Sequence, residues 1–328
     1  MTRLRVGILG PGGIAARHAG AIGQLADRME LVASCGRDLG RTSAFAASHG
    51  GTAYDDLERM LGEAALDLVV VTLPPFAHAG EVERIAAAGI HLLVEKPIAL
   101  DQPRADAMVA AAGQAGIVAA VGFMYRFGAA IRAWREADTG RIGLFAGAYH
   151  CNALHAPWWR SEAKSGGQVL EQVIHLIDLV RHLMGEPDTV FARRANLFHR
   201  DVPGYDAEDV SAILFGWDDG RIATLNASNI ATPGRWQKEW TVFAEHMTGR
   251  FEDWNRAGFV PTEAGASACA IEGDVDPFVA QLADLASAIA DRRPPHVPLA
   301  EGAASLRLAL AARRSADERQ EVRLAHAG

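Results

Sequence analysis

From residue 5 to residue 122 the chain alternates short apolar runs with longer stretches whose apolar residues recur at helical spacing. Residues 5–9, 29–35, 66–73, 91–94 and 118–122 read as strands, and residues 14–25, 41–48, 54–61, 77–88 and 102–113 as helices. Runs apolar at nearly every position are buried on both faces, as in a parallel sheet, so the alternation predicts a doubly wound α/β fold. Beyond Gly122 the rhythm changes. Helices are expected over 129–137 and 167–184, the second ended by Gly185 and Pro187. Strand-like runs at 189–196, 211–215, 221–229, 240–244 and 249–253 then follow without intervening helices, with Asp218-Asp219-Gly220 as a hairpin turn between the second and third. Helices over 277–292 and 299–315, split by Pro294, Pro295 and Pro298, close the chain. The pattern divides the protein into an α/β domain, 1–122, and an α+β domain, 123–328, with a large, open, mainly antiparallel sheet. The C-terminal helices are free to pack back on the first domain.

Composition narrows the function. The 328 residues suffice for two cored domains, and 49 % hydrophobic against 22 % charged residues excludes a disordered chain. A net charge of −8 without a basic cluster excludes the footprint of a nucleic-acid binder. Cys35, Cys151 and Cys269 form no C-x-x-C pair, which fits a reducing, cytoplasmic setting, and no metal is expected. The start, Met1 to Arg5, is basic, but glycines and Pro11 interrupt the apolar stretch after it, too early for a signal peptide. No run is long enough to span a membrane. Only Lys96, Lys164 and Lys238 are lysines among 32 basic residues; the other 29 are arginine.

Gly10-Pro11-Gly12-Gly13-Ile14-Ala15 follows the first strand and opens the first helix. In that context G-x-G-x-x-A is the Rossmann dinucleotide fingerprint: Gly10 for the turn, Gly12 for close approach of a pyrophosphate, and the helix N-terminus at Gly13 and Ile14 for its charge. The acid expected at the end of the second strand is replaced by Gly36, followed by Arg37. A small residue and an arginine suit a 2′-phosphate, so NADP is favoured over NAD. The alternative makes Arg37 a solvated loop residue and Asp38 the ribose ligand. Glu95-Lys96-Pro97 follows the fourth strand, where carboxyl ends of parallel strands open on the ligand crevice. In a chain that otherwise uses arginine, a lysine there suggests a need for a compact, tunable ammonium; the plain alternative is a surface lysine paired with Glu95.

On helix 167–184, Glu171, His175, Asp178 and His182 fall at intervals of four, three and four, along one face of an otherwise apolar helix. Either the stripe faces water, or it serves a substrate.

In this order the motifs resemble those of the Gfo/Idh/MocA oxidoreductases, which include glucose–fructose oxidoreductase and myo-inositol dehydrogenase. The shared elements are Gly10-x-Gly12, Leu73-Pro74-Pro75-Phe76-Ala77-His78, Glu95-Lys96-Pro97, Gly122-Phe123-Met124-Tyr125-Arg126-Phe127, and Gly166-Gly167 leading to His175-x-x-Asp178. The resemblance implies NAD(P)-dependent hydride transfer at a hydroxyl or carbonyl carbon of a sugar or polyol. It makes Lys96, His175 and Glu171 catalytic, with His175 the base and Lys96 the stabiliser of the reacting oxygen. Thr72, Leu73, Pro74, His78 and Glu95 would line the cofactor, and Glu171 and Asp178 would orient the substrate; Tyr125, Arg126 and Trp158 are candidates for the substrate side, with packing as the alternative. Where the family usually has D-x-G-x-H, this chain has Glu171-Gln172-Val173-Ile174-His175, which reshapes the alcohol pocket. Reduction of an imine or enone, dihydrodiol oxidation, and a catalytically silent dinucleotide sensor are the alternatives. A homo-dimer or homo-tetramer through the open sheet is expected.

Overall fold

The computed structural model describes residues 3–152 and 156–325; Met1 and Thr2 of the basic start lie outside the described residues. The chain divides into two units, residues 1–124 with 276–303, and residues 125–275 with 304–328.

The first unit is a parallel six-stranded sheet in the order β3-β2-β1-β4-β5-β6. Its elements are β1 (Leu4–Leu9), α1 (Gly13–Gln24), β2 (Met29–Cys35), α2 (Leu39–His49), β3 (Thr52–Tyr54), α3 (Leu57–Glu63), β4 (Leu68–Val71), α4 (Glu81–Ala87), β5 (His91–Val94), α5 (Gln102–Ala115) and β6 (Ala119–Val121). Strands β1, β4 and β5 are almost wholly buried, which explains their unbroken apolar sequence. The expected helix at 54–61 is corrected: residues 52–54 form edge strand β3, and α3 starts only after Asp56, whose carboxylate caps the Arg59 N–H. The helix expected over 77–88 is likewise shorter, a 3₁₀ turn Pro75–Ala77 preceding α4. The helix Pro277–Asp291 belongs to this unit. Phe278, Leu282, Leu285 and Ala286 join Val6, Ile8, Ala15 and Ile22 in one core, so the second domain is not one continuous segment 123–328.

The second unit carries α6 (Ala129–Glu136), β7 (Ile142–His150), α7 (Pro157–Arg160), α8 (Glu162–Ser165), a π-helical turn Val169–Val173 running into α9 (Ile174–Met184), β8 (Thr189–Ala195), β9 (Val210–Gly216), β10 (Ile222–Ser228), β11 (Gln237–Ala244), β12 (Met247–Phe251), β13 (Arg256–Pro261) and β14 (Cys269–Glu272). The chain then runs through α10 (Pro277–Asp291) and α11 (Leu299–Glu318) to β15 (Val322–Arg323). Among the described residues the sheet has nine strands, ordered β14-β13-β12-β11-β7-β10-β9-β8-β15, and is antiparallel except where β7 pairs with β10. Asp218-Asp219-Gly220 lies in the connection between β9 and β10, which pair antiparallel.

Strand β7, central in this sheet, has no counterpart among the expected strands. Its sequence is diluted by Gly143, Ala146, Gly147 and Ala148, which lowers β propensity. Gly147 has a packing reason: a Cβ there would lie 2.9 Å from the Phe145 ring, 3.0 Å from Leu225 and 3.4 Å from Leu176 of α9. The glycine lets the helix lie against the sheet. Strands β13, β14 and β15 also escaped the sequence reading, being exposed at alternate or most positions.

Candidate functional site

In the first unit the glycine loop is shaped by contacts on both sides. Gly10 has φ +95°, and a Cβ on it would sit 2.9 Å from Leu73 Cδ2, so only glycine makes this turn. The Thr72 hydroxyl donates to Leu9 O at 3.0 Å and Gly10 O at 2.7 Å, fastening the loop to the end of β4. Gly12 is the N-cap of α1 with no side-chain capping bond, and the first turn holds no acid. A Cβ on Gly12 would meet nothing nearer than 3.9 Å, and one on Gly13 nothing within 4 Å. The first-turn N–H groups and the space before them therefore fit a dinucleotide pyrophosphate. Ile14 is exposed on this turn, while Ala15 packs fully buried below it.

Arg37 is exposed. The Asp38 carboxylate accepts from the Arg41 N–H at 3.0 Å through Oδ1, as N-cap of α2. Gly36 is small for a local reason: a Cβ would lie 2.8 Å from both Pro11 Cδ and Thr42 Oγ1. Its lack of a carboxylate thus follows from Pro11 in the glycine loop.

Glu95 is 6 % exposed. His18 of α1, fully buried, donates from Nε2 to Glu95 Oε1 at 2.7 Å, and the Lys96 main-chain N–H donates to Oε2 at 3.1 Å. Gly122 leaves room for this carboxylate, since a Cβ there would stand 2.7 Å from Oε2. Glu95 is thereby turned toward its own unit's helix, and Lys96, half-buried, extends from a main chain it helps hold. Sequence reasoning missed His18; its signal was a polar residue on the buried side of the first helix. Just before the 3₁₀ turn Leu73 and Pro74 are half-buried, and just after it His78 bonds the carboxylate of Glu81, the first residue of α4, which also accepts from Ala79 N–H at 2.7 Å. Burial pushes the Glu81 pKa up, but the His78 bond and charge and the Ala79 N–H outweigh it and leave the group below its ordinary value. The His78 ring is tied into this turn.

In the second unit the segment before His175 is built by a close approach. Gly167 has φ +85°, and a Cβ there would stand 2.2 Å from Glu208 Oε2. Glu208 is buried and accepts the Val169 N–H at 2.7 Å, anchoring the start of the π turn; burial raises its pKa. No sequence signal pointed to Glu208. The π turn places Glu171 ahead of α9 rather than within one regular helix, the widened turn that often marks a functional segment. Glu171, His175 and Asp178 are 6 %, 7 % and 0 % exposed, so the stripe does not face water; only His182 is half-buried.

His175 stacks on Tyr125 with ring centroids 4.4 Å apart and planes 14° apart, and Tyr125 also stacks on Trp254 at 4.6 Å. Burial raises the pKa of Tyr125 and of Tyr149, which share a hydrogen bond, and pushes Cys151 up to about 12. These neighbours keep their protons at neutral pH. Arg126 and Asp178 form a buried two-point pair, Nε to Oδ2 at 2.8 Å and Nη2 to Oδ1 at 2.6 Å, and Ser305 Oγ donates to Oδ1 at 3.2 Å. Both residues thus hold the Met124–Phe127 turn against α9. Trp158, half-buried, meets Trp159 edge to face at 5.6 Å, and Trp159 lies 6.4 Å from Trp236. Lys238 was given no role from sequence, yet its ammonium stands 5.1–5.9 Å from the ring centroids of Trp236, Trp254, Tyr149 and Tyr125. Among the described residues no group of His, Cys, Asp and Glu is arranged to hold a metal ion, and no helix is long and apolar enough to cross a membrane.

A strand order of 3-2-1-4-5-6 with a glycine loop before α1 defines a dinucleotide-binding class, and the family models agree. Residues 4–123 match the oxidoreductase family with NAD-binding Rossmann fold, and residues 127–249 the GFO/IDH/MocA C-terminal domain. The chain belongs to the GFO/IDH/MocA family of oxidoreductases. It is 32 % identical to the inositol 2-dehydrogenase of Rhizobium meliloti over 70 % of either chain. It is 27 % identical to the UDP-N-acetylglucosamine 3-dehydrogenase of Acidithiobacillus ferrooxidans over 90 % of this chain and 91 % of that one. The structure of a levoglucosan dehydrogenase with NADH and levoglucosan superposes with a TM-score of 0.90, covering 99 % of this chain and 100 % of that one; at 19 % identity this likeness is one of fold.

Proposed function

We propose that the protein is an NAD(P)-dependent dehydrogenase or reductase acting on a CH–OH carbon of a sugar, polyol or related small molecule. The observation that carries this reading is the uncapped N-terminus of α1, with open space at Gly12 and Gly13, in a chain of an oxidoreductase family. The relatives named for inositol and UDP-N-acetylglucosamine dehydrogenation support the substrate class.

When bound, the dinucleotide supplies the hydride acceptor or donor. An imidazole nitrogen of His175 takes the hydroxyl proton, the general-base role that histidine most often fills, while Tyr125, Tyr149 and Cys151 stay protonated. Stacking on Tyr125 holds the ring, and the Arg126–Asp178 pair fixes Tyr125 and α9 as positioning residues. Lys96 stabilises charge developing on the reacting oxygen, with its backbone held by Glu95 and His18. Glu171 orients substrate hydroxyls. Gly10, Gly12, Gly13 and Ile14 hold the pyrophosphate, with Thr72, Leu73, Pro74 and His78 shaping the loops beside it. NADP is favoured over NAD because Gly36 offers no carboxylate and Arg37 beside it is exposed.

The outer face of the second unit's sheet supports self-association. Ile222, Phe243 and Val260 lie in one cross-strand row with Leu144 and Thr248, and are 43 %, 43 % and 48 % exposed. A second copy of the chain would cover it. Cys35, Cys151 and Cys269 are free thiols, consistent with a cytoplasmic enzyme.

The decisive experiment is a steady-state screen of sugars and polyols with NAD and NADP, following nicotinamide absorbance in both directions. Turnover of at least one polyol, lost in His175→Ala with cofactor affinity retained, is expected. Cofactor binding without turnover across the panel would favour a silent sensor instead.

A further inference from the structure

On the inner face of the second unit's sheet, strand β11 breaks its own apolar alternation at one position. On β11, Lys238, Trp240 and Val242 point to the same side; Trp240 is 2 % exposed and Val242 fully buried. Register pairs Val242 with Phe145, Trp240 with Gly147 and Lys238 with Tyr149 on β7, and α9 lies against this face through Leu176 beside Gly147. Strand alternation therefore asks for a hydrophobic residue at 238, and the chain supplies one of its three lysines.

The ammonium stands 5.1 Å from the Trp236 ring centre, 5.4 Å from Trp254, 5.5 Å from Tyr149 and 5.9 Å from Tyr125. Each distance is within cation–π range, and the four rings together hold a half-buried cation in place. The ammonium is a compact point charge at the end of a flexible stem, which lets one lysine meet all four rings. One wall is shared with the proposed base: Tyr125 stacks on His175 at 4.4 Å. The ammonium is thus no farther from the imidazole than those two distances laid end to end, within reach of a substituent on a sugar whose carbinol meets His175. Partial desolvation strengthens the attraction of such a cation for an anion. Cys151 registers both charges of the cluster: burial and then the Glu171 carboxylate raise its pKa, and the Lys238 ammonium works to lower it.

We propose that Lys238 in its aromatic box is a specificity-determining residue that reads an anionic substituent, a carboxylate or a phosphate, on the sugar substrate. This rests on the reading of the chain as a sugar or polyol oxidoreductase.

The test measures dissociation constants by calorimetry on the holoenzyme saturated with reduced cofactor, using D-glucose, D-glucuronate and D-glucose 6-phosphate. At least ten-fold tighter binding of one or both acidic sugars than of glucose is expected, and the tighter of the two identifies the anion. Lys238→Met should bring acidic and neutral sugars within about two-fold of each other, whereas Lys238→Arg should retain a measurable preference for the acid. Equal binding of the three sugars by the wild type, a preference that survives in Lys238→Met, or a Lys238→Arg variant indistinguishable from Lys238→Met would overturn the assignment. The underlying reading fails differently: wild-type enzyme would show no nicotinamide-linked turnover of any sugar or polyol, whatever the order of these affinities.

Discussion

The glycine loop of the first unit and the His175 cluster of the second are made in opposite ways. Gly10, Gly12, Gly13 and Ile14 are consecutive or nearly so, and the chemistry they offer is main-chain N–H at a helix start. The cluster gathers Tyr125 from a 3₁₀ turn, Tyr149 from β7, His175 from α9, Lys238 from β11 and Trp254 from the β12–β13 connection. A site of backbone groups survives most side-chain changes that spare its glycines, whereas a site of side chains depends on each packing neighbour. Substitutions in the cluster should therefore alter turnover or stability steeply, and those in the nucleotide region should alter selectivity more gently.

The largest effect belongs to His175→Ala. Turnover should fall about 10³-fold, the usual worth of a positioned acid or base, while NAD(P)H affinity measured by fluorescence titration changes less than two-fold. An equal loss in both quantities would erase the distinction between the two regions.

Next comes Arg126→Met, which leaves Asp178 buried at 0 % exposure without its two-point partner. Breaking such a pair costs about 3–5 kcal/mol, so denaturant unfolding should show a loss of that order in the second unit's stability. The double variant Arg126→Met with Asp178→Leu should recover part of it, because no uncompensated charge remains. A single variant as stable as the wild type would mean that the pair does not hold the Tyr125 turn.

Lys96→Arg tests the first unit at its one proposed catalytic side chain. Charge is kept, but the planar guanidinium does not reproduce a point ammonium on a main chain fixed by Glu95 and His18. Turnover should fall at least ten-fold, equivalent to about 1.4 kcal/mol of barrier, with wild-type stability. Unchanged kinetics would remove Lys96 from the chemistry.

What the sequence disclosed follows the same division. Parallel strands buried on both faces write themselves as apolar runs, and the glycine fingerprint is local, so the first unit was legible almost element by element; β3 escaped as a three-residue edge. In the second unit β7 was hidden by glycines and alanines that serve a helix packed across it. The polar stripe on α9 was visible, but its meaning depended on partners remote in sequence. Asp178 lies opposite Arg126, His175 lies on Tyr125, and Lys238 sits among four rings. Periodicity reports which face a residue occupies, but not which distant side chain meets it.

The smallest effect separates two explanations of one glycine. Gly36 stands where NAD enzymes of this fold carry a ribose-binding acid. If it is glycine only because Pro11 and Thr42 leave no space for a Cβ, then Arg37 is incidental, and Arg37→Ala will leave the ratio of NADP to NAD affinity unchanged. If Arg37 pairs with a 2′-phosphate, the variant should weaken NADP by several-fold and NAD hardly at all, since an exposed ion pair contributes about 1 kcal/mol or less. The pair should also respond to salt: raising ionic strength from about 0.01 to 0.15 M shortens the screening length from roughly 30 to 8 Å and should narrow the wild-type preference toward that of Arg37→Ala. A preference that is insensitive to both the mutation and salt would locate cofactor choice elsewhere in the loop. Gly36 would then be a packing residue alone.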